Sequence, residues 1–170
     1  MDFNTYQQEA AKTAIYPPAL ALHYLIPGLV VELDELKNTL EDIPTRDNLY
    51  VKKELGDVIW FCAMICKTAG YAFSTNDILW HDLTPNEIVR QINTFAMLAL
   101  GEWVKCVRDN DGKIGLEEEK YLKSVTFIPA LVDRFCSQYG YTLDEVMRLN
   151  LEKLADRQAR GVLNGSGDER

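Results

Sequence analysis

Four carboxylates in two short pairs are the residues of this sequence best placed to do chemistry. Glu32 and Glu35 stand three apart in VELDEL, and Glu54 and Asp57 stand three apart in ELGD. Side chains three apart on a helix share a face. Each pair therefore presents two oxygen-bearing arms side by side. Brought together on adjoining helices, four negative charges repel one another, and the cluster is costly unless a cation sits within it. Hard oxygen ligands select Mg²⁺, with Mn²⁺ as the alternative. Magnesium held by a few carboxylates keeps its other positions for water and substrate phosphate, an arrangement suited to phosphate chemistry.

An acidic pair on a helix is more often a solvated face. Two features set these pairs apart. Asp57 lies in LGDVIWF at the edge of a strongly apolar stretch, and Glu32 follows GLVV. Carboxylates beside buried positions are seldom idle.

The elements that must position them read as helical nearly throughout. Residues 3–15 form an amphipathic helix halted by Pro17-Pro18. Residues 20–41 form a second, bent or restarted near Pro27-Gly28. IPTRDN (43–48) is a turn, and residues 48–69 form a third helix ending at Gly70. A short element covers 75–80. Thr84, Pro85 and Glu87 open a fourth helix with a capping box, running to about Arg108. DNDGKIG (109–115) is a loop. Residues 116–139 form a fifth helix kinked at Pro129, and Thr142 with Glu145 caps a last helix over 142–159. Strand alternation is confined to short apolar stubs. The second and third helices, joined by a short turn, default to an antiparallel hairpin, which would bring the two acidic pairs together.

A faint repeat runs at an offset of 70. Glu32 matches Glu102, Lys53 matches Lys123, Cys66 matches Cys136, and Gly70-Tyr71 matches Gly140-Tyr141. In the second copy Lys105, Ser124 and Phe127 replace Glu35, Glu54 and Asp57. The reading is a single all-α domain, a helical bundle of two related hairpins plus N-terminal and C-terminal helices. Residues 1–80 are the catalytic half, 81–160 a degenerate half and 161–170 a flexible tail.

The chain has 170 residues, enough for one real core. Its hydrophobic fraction of 47% and charged fraction of 26% are ordinary for a globular protein. A net charge of −8 argues against a nucleic-acid polymer as partner, which would need a basic patch. It leaves room for a single nucleotide. The four cysteines include no CxxC and the chain has two histidines, so zinc is not expected. Reduced, buried cysteines suit a cytoplasmic location. The apolar run 14–31 is interrupted by three prolines and His23 and follows no basic segment, so neither a signal peptide nor a membrane span is expected.

VELDEL followed by KELGDVIWF resembles the ExxE…ExxD signature of the MazG-like, all-α nucleoside triphosphate pyrophosphohydrolases. The opening YQQEAAKTAIYP and the closing GYTLDEVMRLNLEKLADRQARGVLNGSGDER are similar to the ends of the short members of that family. The resemblance covers roughly half the chain. It implies hydrolysis of a nucleotide between the α and β phosphates, giving a monophosphate and pyrophosphate. It also implies Mg²⁺ held by Glu32, Glu35, Glu54 and Asp57, and phosphate contacts from the face bearing Asn150, Lys153 and Arg157. Physical chemistry agrees with the first assignment, because a triphosphate cannot approach four carboxylates without a mediating cation. Water attacking the α-phosphorus needs a base, for which Glu35 or Glu54 is preferred over Asp57. Lys53, beside the motif, is a further phosphate donor. Trp60, three residues after Asp57, is either a base-stacking ring or a core tryptophan. Gln7 and His23 are candidates by position alone. Residues 75–135 interrupt the short-family pattern, so the extra hairpin could replace a neighbouring subunit, and a homodimer is expected.

Two alternatives stand beside this reading. One is a relative acting on another diphosphate, such as phosphoribosyl-ATP or a nucleoside diphosphate. The other is a non-catalytic helical interaction protein whose acidic face binds a basic peptide.

Overall fold

Helix-start and helix-stop signals set most of the boundaries in the computed structural model, which describes residues 1–41, 48–71, 82–113 and 122–163. Six α-helices lie in these segments: α1 (Phe3–Ala10), α2 (Ala21–Glu41), α3 (Asn48–Ala69), α4 (Pro85–Asn110), α5 (Ile128–Gln138) and α6 (Leu143–Ala159). The expected element at 75–80, the turn at 43–47, the start of the fifth helix and the end of the tail lie outside the described residues. The fold is all-α, and the described residues contain no strand.

Both expected capping boxes form. Thr84 and Thr142 each accept the backbone N–H three residues on, while Glu87 and Glu145 return the bond to the cap. Gly70 and Gly140 end α3 and α5 with φ of 75° and 76°, where a side chain would be strained. The next residues then donate back to Cys66 and Cys136 at 2.8 and 3.2 Å. The two ends the repeat aligns thus close in the same way.

Three expectations need correction at the prolines. The first helix stops at Ala10 and tightens into a 3₁₀ turn, Ala11–Thr13. The second does not restart at Pro27; α2 runs unbroken through it. The missing N–H would have bonded the carbonyl of His23, one bond near the start of a 21-residue helix. Leu22, Leu25, Ile26 and Leu29, all buried, hold the segment against the core on both sides of the break. Pro129 does not kink a long fifth helix. A 3₁₀ turn, Lys123–Phe127, precedes α5, and Pro129 sits in its first turn, where no N–H is needed.

α3 is the axis of the bundle. Every residue from Val58 to Cys66 is buried, the pattern of a helix covered on all sides. α2 packs along it as the expected hairpin. α1, α6, α5 and the 3₁₀ turn before α5 cover its other sides, and α4 lies against α2 and α5. Each buried Leu, Ile or Val gains about 1.5–3 kcal/mol on leaving water, and this burial carries Glu54 inside with Val51, Leu55 and Val58. α2 and α3 pass close together at Gly28, where a Cβ would run into the Phe61 ring. All four cysteines are free and buried. Among the described residues no single helix is long and apolar enough to cross a membrane.

Candidate metal centre

The α2–α3 hairpin brings three of the four signature acids together. Glu32, Glu54 and Asp57 each place a carboxylate oxygen within 4.8 Å of the others. Glu54 is 8% exposed, and Glu32 and Asp57 are half-buried. The fourth, Glu35, is exposed and outside this group. Helix geometry explains the split. At 3.6 residues per turn, Glu32 lies roughly 60° from buried Leu29, and Glu35 roughly 120°. Sharing one side of a helix is thus compatible with one carboxylate turning inward and the next facing solvent.

Asp57 is held from α6. Asn150 Nδ2 donates to Asp57 Oδ1 at 3.0 Å, and Lys153 Nζ forms an ion pair with Asp57 Oδ2. Both donors come from α6, three residues apart on one face. Asn150 is buried in turn, and its Oδ1 accepts from the Tyr6 hydroxyl of α1 at 2.8 Å. The α3–α6 approach depends on Gly56, where a Cβ would meet Asn150 Cβ at 2.9 Å and Nδ2 at 3.2 Å. Sequence reasoning missed Tyr6. The available signal was Gly56, since a glycine inside a helix marks a close approach.

The other candidates divide. Asn150 and Lys153 reach the acidic site, bonded to Asp57. Arg157, one turn further along α6, is buried. Lys53 lies with its ammonium 5.4 Å from the Tyr50 ring centroid. Trp60 is a core tryptophan, 8% exposed, edge-on to Phe61 at 5.0 Å and to Tyr16 at 6.3 Å. Gln7 donates to the Ala63 carbonyl at 2.9 Å, and His23 packs edge-on against Trp103 at 5.0 Å, facing the second hairpin.

Electrostatics bear most directly on Glu32. Burial, then the charges of Asp57, Glu35 and Glu54, push the Glu32 carboxyl up to about 8, against which Lys153 acts in the opposite sense. The Tyr6 hydroxyl is pushed well above its usual range by burial and by Asp57, so it remains a donor. Three oxygen donors within ion-sharing distance, one held protonated first by burial and then by its neighbours' charges, fit a hard divalent cation. Comparison of the chain with protein-family models, curated proteins and solved structures gives no match.

Proposed function

We propose that this protein is a Mg²⁺-dependent nucleoside triphosphate pyrophosphohydrolase, cleaving a ribo- or deoxynucleotide between its α and β phosphates. The observation that carries this reading is the meeting of Glu32, Glu54 and Asp57 across consecutive helices, with Lys153 at the edge of the cluster. The three carboxylates are the ligands for Mg²⁺, or Mn²⁺. Such an ion would offset phosphate charge and lower the pKa of a bound water.

The chain's own residues supply the rest. Glu32 and Glu54 come from different helices, so the cation position is fixed by hairpin register rather than by one flexible element. Glu35, exposed one turn from Glu32, is placed to take a proton from attacking water while the inner three hold the ion. Glu54 is the other candidate for that role. Lys153, three residues from Asn150, can offer its ammonium to a phosphate oxygen once a divalent ion shares Asp57. The free, buried cysteines fit a cytoplasmic enzyme. The resemblance to MazG-like enzymes noted in the sequence supports the bond cleaved.

A purely structural role, with the Lys153 ion pair stapling α6 to α3, accounts for Asp57. It does not account for bringing Glu32 and Glu54 to the same place. The discriminating experiment incubates the protein with Mg²⁺ and each common ribo- and deoxynucleoside triphosphate, then separates products by chromatography. Monophosphate with intact pyrophosphate is expected. Stepwise release of orthophosphate, or no turnover with any nucleotide, would refute the proposal.

A further inference from the structure

A buried tyrosine on the N-terminal helix reaches the acidic site through one intermediary. Tyr6 is completely buried, and its hydroxyl lies 2.8 Å from Asn150 Oδ1; Asn150 is 1% exposed, and its Nδ2 lies 3.0 Å from Asp57 Oδ1. A buried carboxamide has two possible orientations, differing by exchange of oxygen and nitrogen. The Asp57 carboxylate accepts hydrogen bonds only, so it requires the amide nitrogen to face it. The amide oxygen must then face Tyr6, whose hydroxyl must donate. Asp57 itself helps keep that hydroxyl protonated. All three groups therefore have a single consistent polarity.

We infer that Tyr6, acting through Asn150, is a positioning residue that fixes the orientation of the Asp57 carboxylate for a divalent cation. The inference rests on the metal-site reading proposed above. Tyr6 is not needed to fill space alone, since phenylalanine would fill the same volume. Nor does Asn150 simply satisfy a stray donor: Gly56 leaves α3 bare where the carboxamide passes, so the two helices are shaped around it. A bond that orients a metal ligand from outside the first layer typically contributes ten- to a hundredfold in metal affinity.

The test is Mn²⁺ titration of the full chain by calorimetry, on the wild type, Tyr6→Phe, Asn150→Leu and the double variant. Thermal unfolding is followed in parallel, and Ile92→Ala in α4 serves as a core truncation outside the network. Tyr6→Phe is expected to weaken Mn²⁺ binding about tenfold. The double variant is expected to bind no more weakly than Asn150→Leu alone, because the tyrosine acts only through the amide. Ile92→Ala should lower the unfolding temperature and leave Mn²⁺ affinity unchanged. Wild-type affinity in Tyr6→Phe, or losses that add in the double variant, would overturn the positioning role while leaving the metal site standing. Absence of Mn²⁺ binding in the wild type would overturn the metal site, and this inference with it.

Discussion

The two hairpins of this protein share their helix ends but differ in what they do with corresponding positions. In the first, Glu32, Glu54 and Asp57 converge. In the second, Glu102 is paired within its own helix to Lys105 at 2.7 Å. Ser124 stands where the first hairpin has Glu54, and its hydroxyl donates to the Phe95 carbonyl at 3.2 Å. Phe127 stands where the first has Asp57 and packs on the Phe95 ring at 5.6 Å. One hairpin satisfies its polar groups locally. The other gathers three carboxyl groups from two helices, and the lysine that pairs with Asp57 comes from α6. The difference teaches that the aligned positions differ in backbone as well as chemistry: Ser124 and Phe127 lie in a 3₁₀ turn, Glu54 and Asp57 inside a continuous helix.

That contrast can be broken most directly at Glu54. Glu54→Gln should lower nucleotide turnover by about 10²–10⁴-fold, measured by pyrophosphate release. Ser124→Ala, at the matching position, should change turnover by less than about twofold. Equal losses at both sites would mean that the hairpins are not functionally distinct.

A pH titration sharpens the same point. Glu32 keeps its proton up to about 8 in the folded chain, whereas a free glutamate loses it near 4.5. Between those values the folded state binds more protons than the unfolded one, so this group's contribution to stability is present at low pH and is lost as pH rises toward 8. A cation must displace that proton. Mg²⁺ affinity should therefore rise with pH, by up to about tenfold per unit below 8, and level off above it. Calorimetry in buffers of different ionisation enthalpy would count the proton released.

Smaller effects separate the two by packing. Gly28→Ala places a methyl group into the Phe61 ring and should destabilise the fold by about 1–3 kcal/mol in urea denaturation. Gly101→Ala meets nothing within 4 Å on α4 and should stabilise it by up to about 1 kcal/mol. Lys105→Ala, which removes an ion pair between neighbouring turns of one helix, should cost less than about 0.5 kcal/mol in the same assay.

Much of this architecture is legible in the sequence. Thr84, Thr142, Gly70 and Gly140 mark helix ends through local bonding, and local bonding is written in the sequence. Prolines were read less well. Pro27 and Pro129 say that an N–H is missing, not whether the surrounding helix can spare it. Of the acids, three of four assemble and Glu35 faces solvent. The wheel position of each was available; the depth to which α3 would bury that side of α2 was not. The sequence offers Lys153 and Asn150 as phosphate contacts, and in the structure both bond Asp57.

By itself, then, the sequence determined the helical class, the caps, the pairing of α2 with α3 and the identity of the acidic residues, all of which follow from periodicity and short-range bonding. Only the tertiary structure decided which carboxylates meet, that Trp60 belongs to the core, and that α1 and α6 together hold Asp57. Those outcomes depend on how closely the packed helices approach one another. That distance is set at Gly28 and Gly56 by the atoms facing each glycine, which the residues on either side of it do not specify.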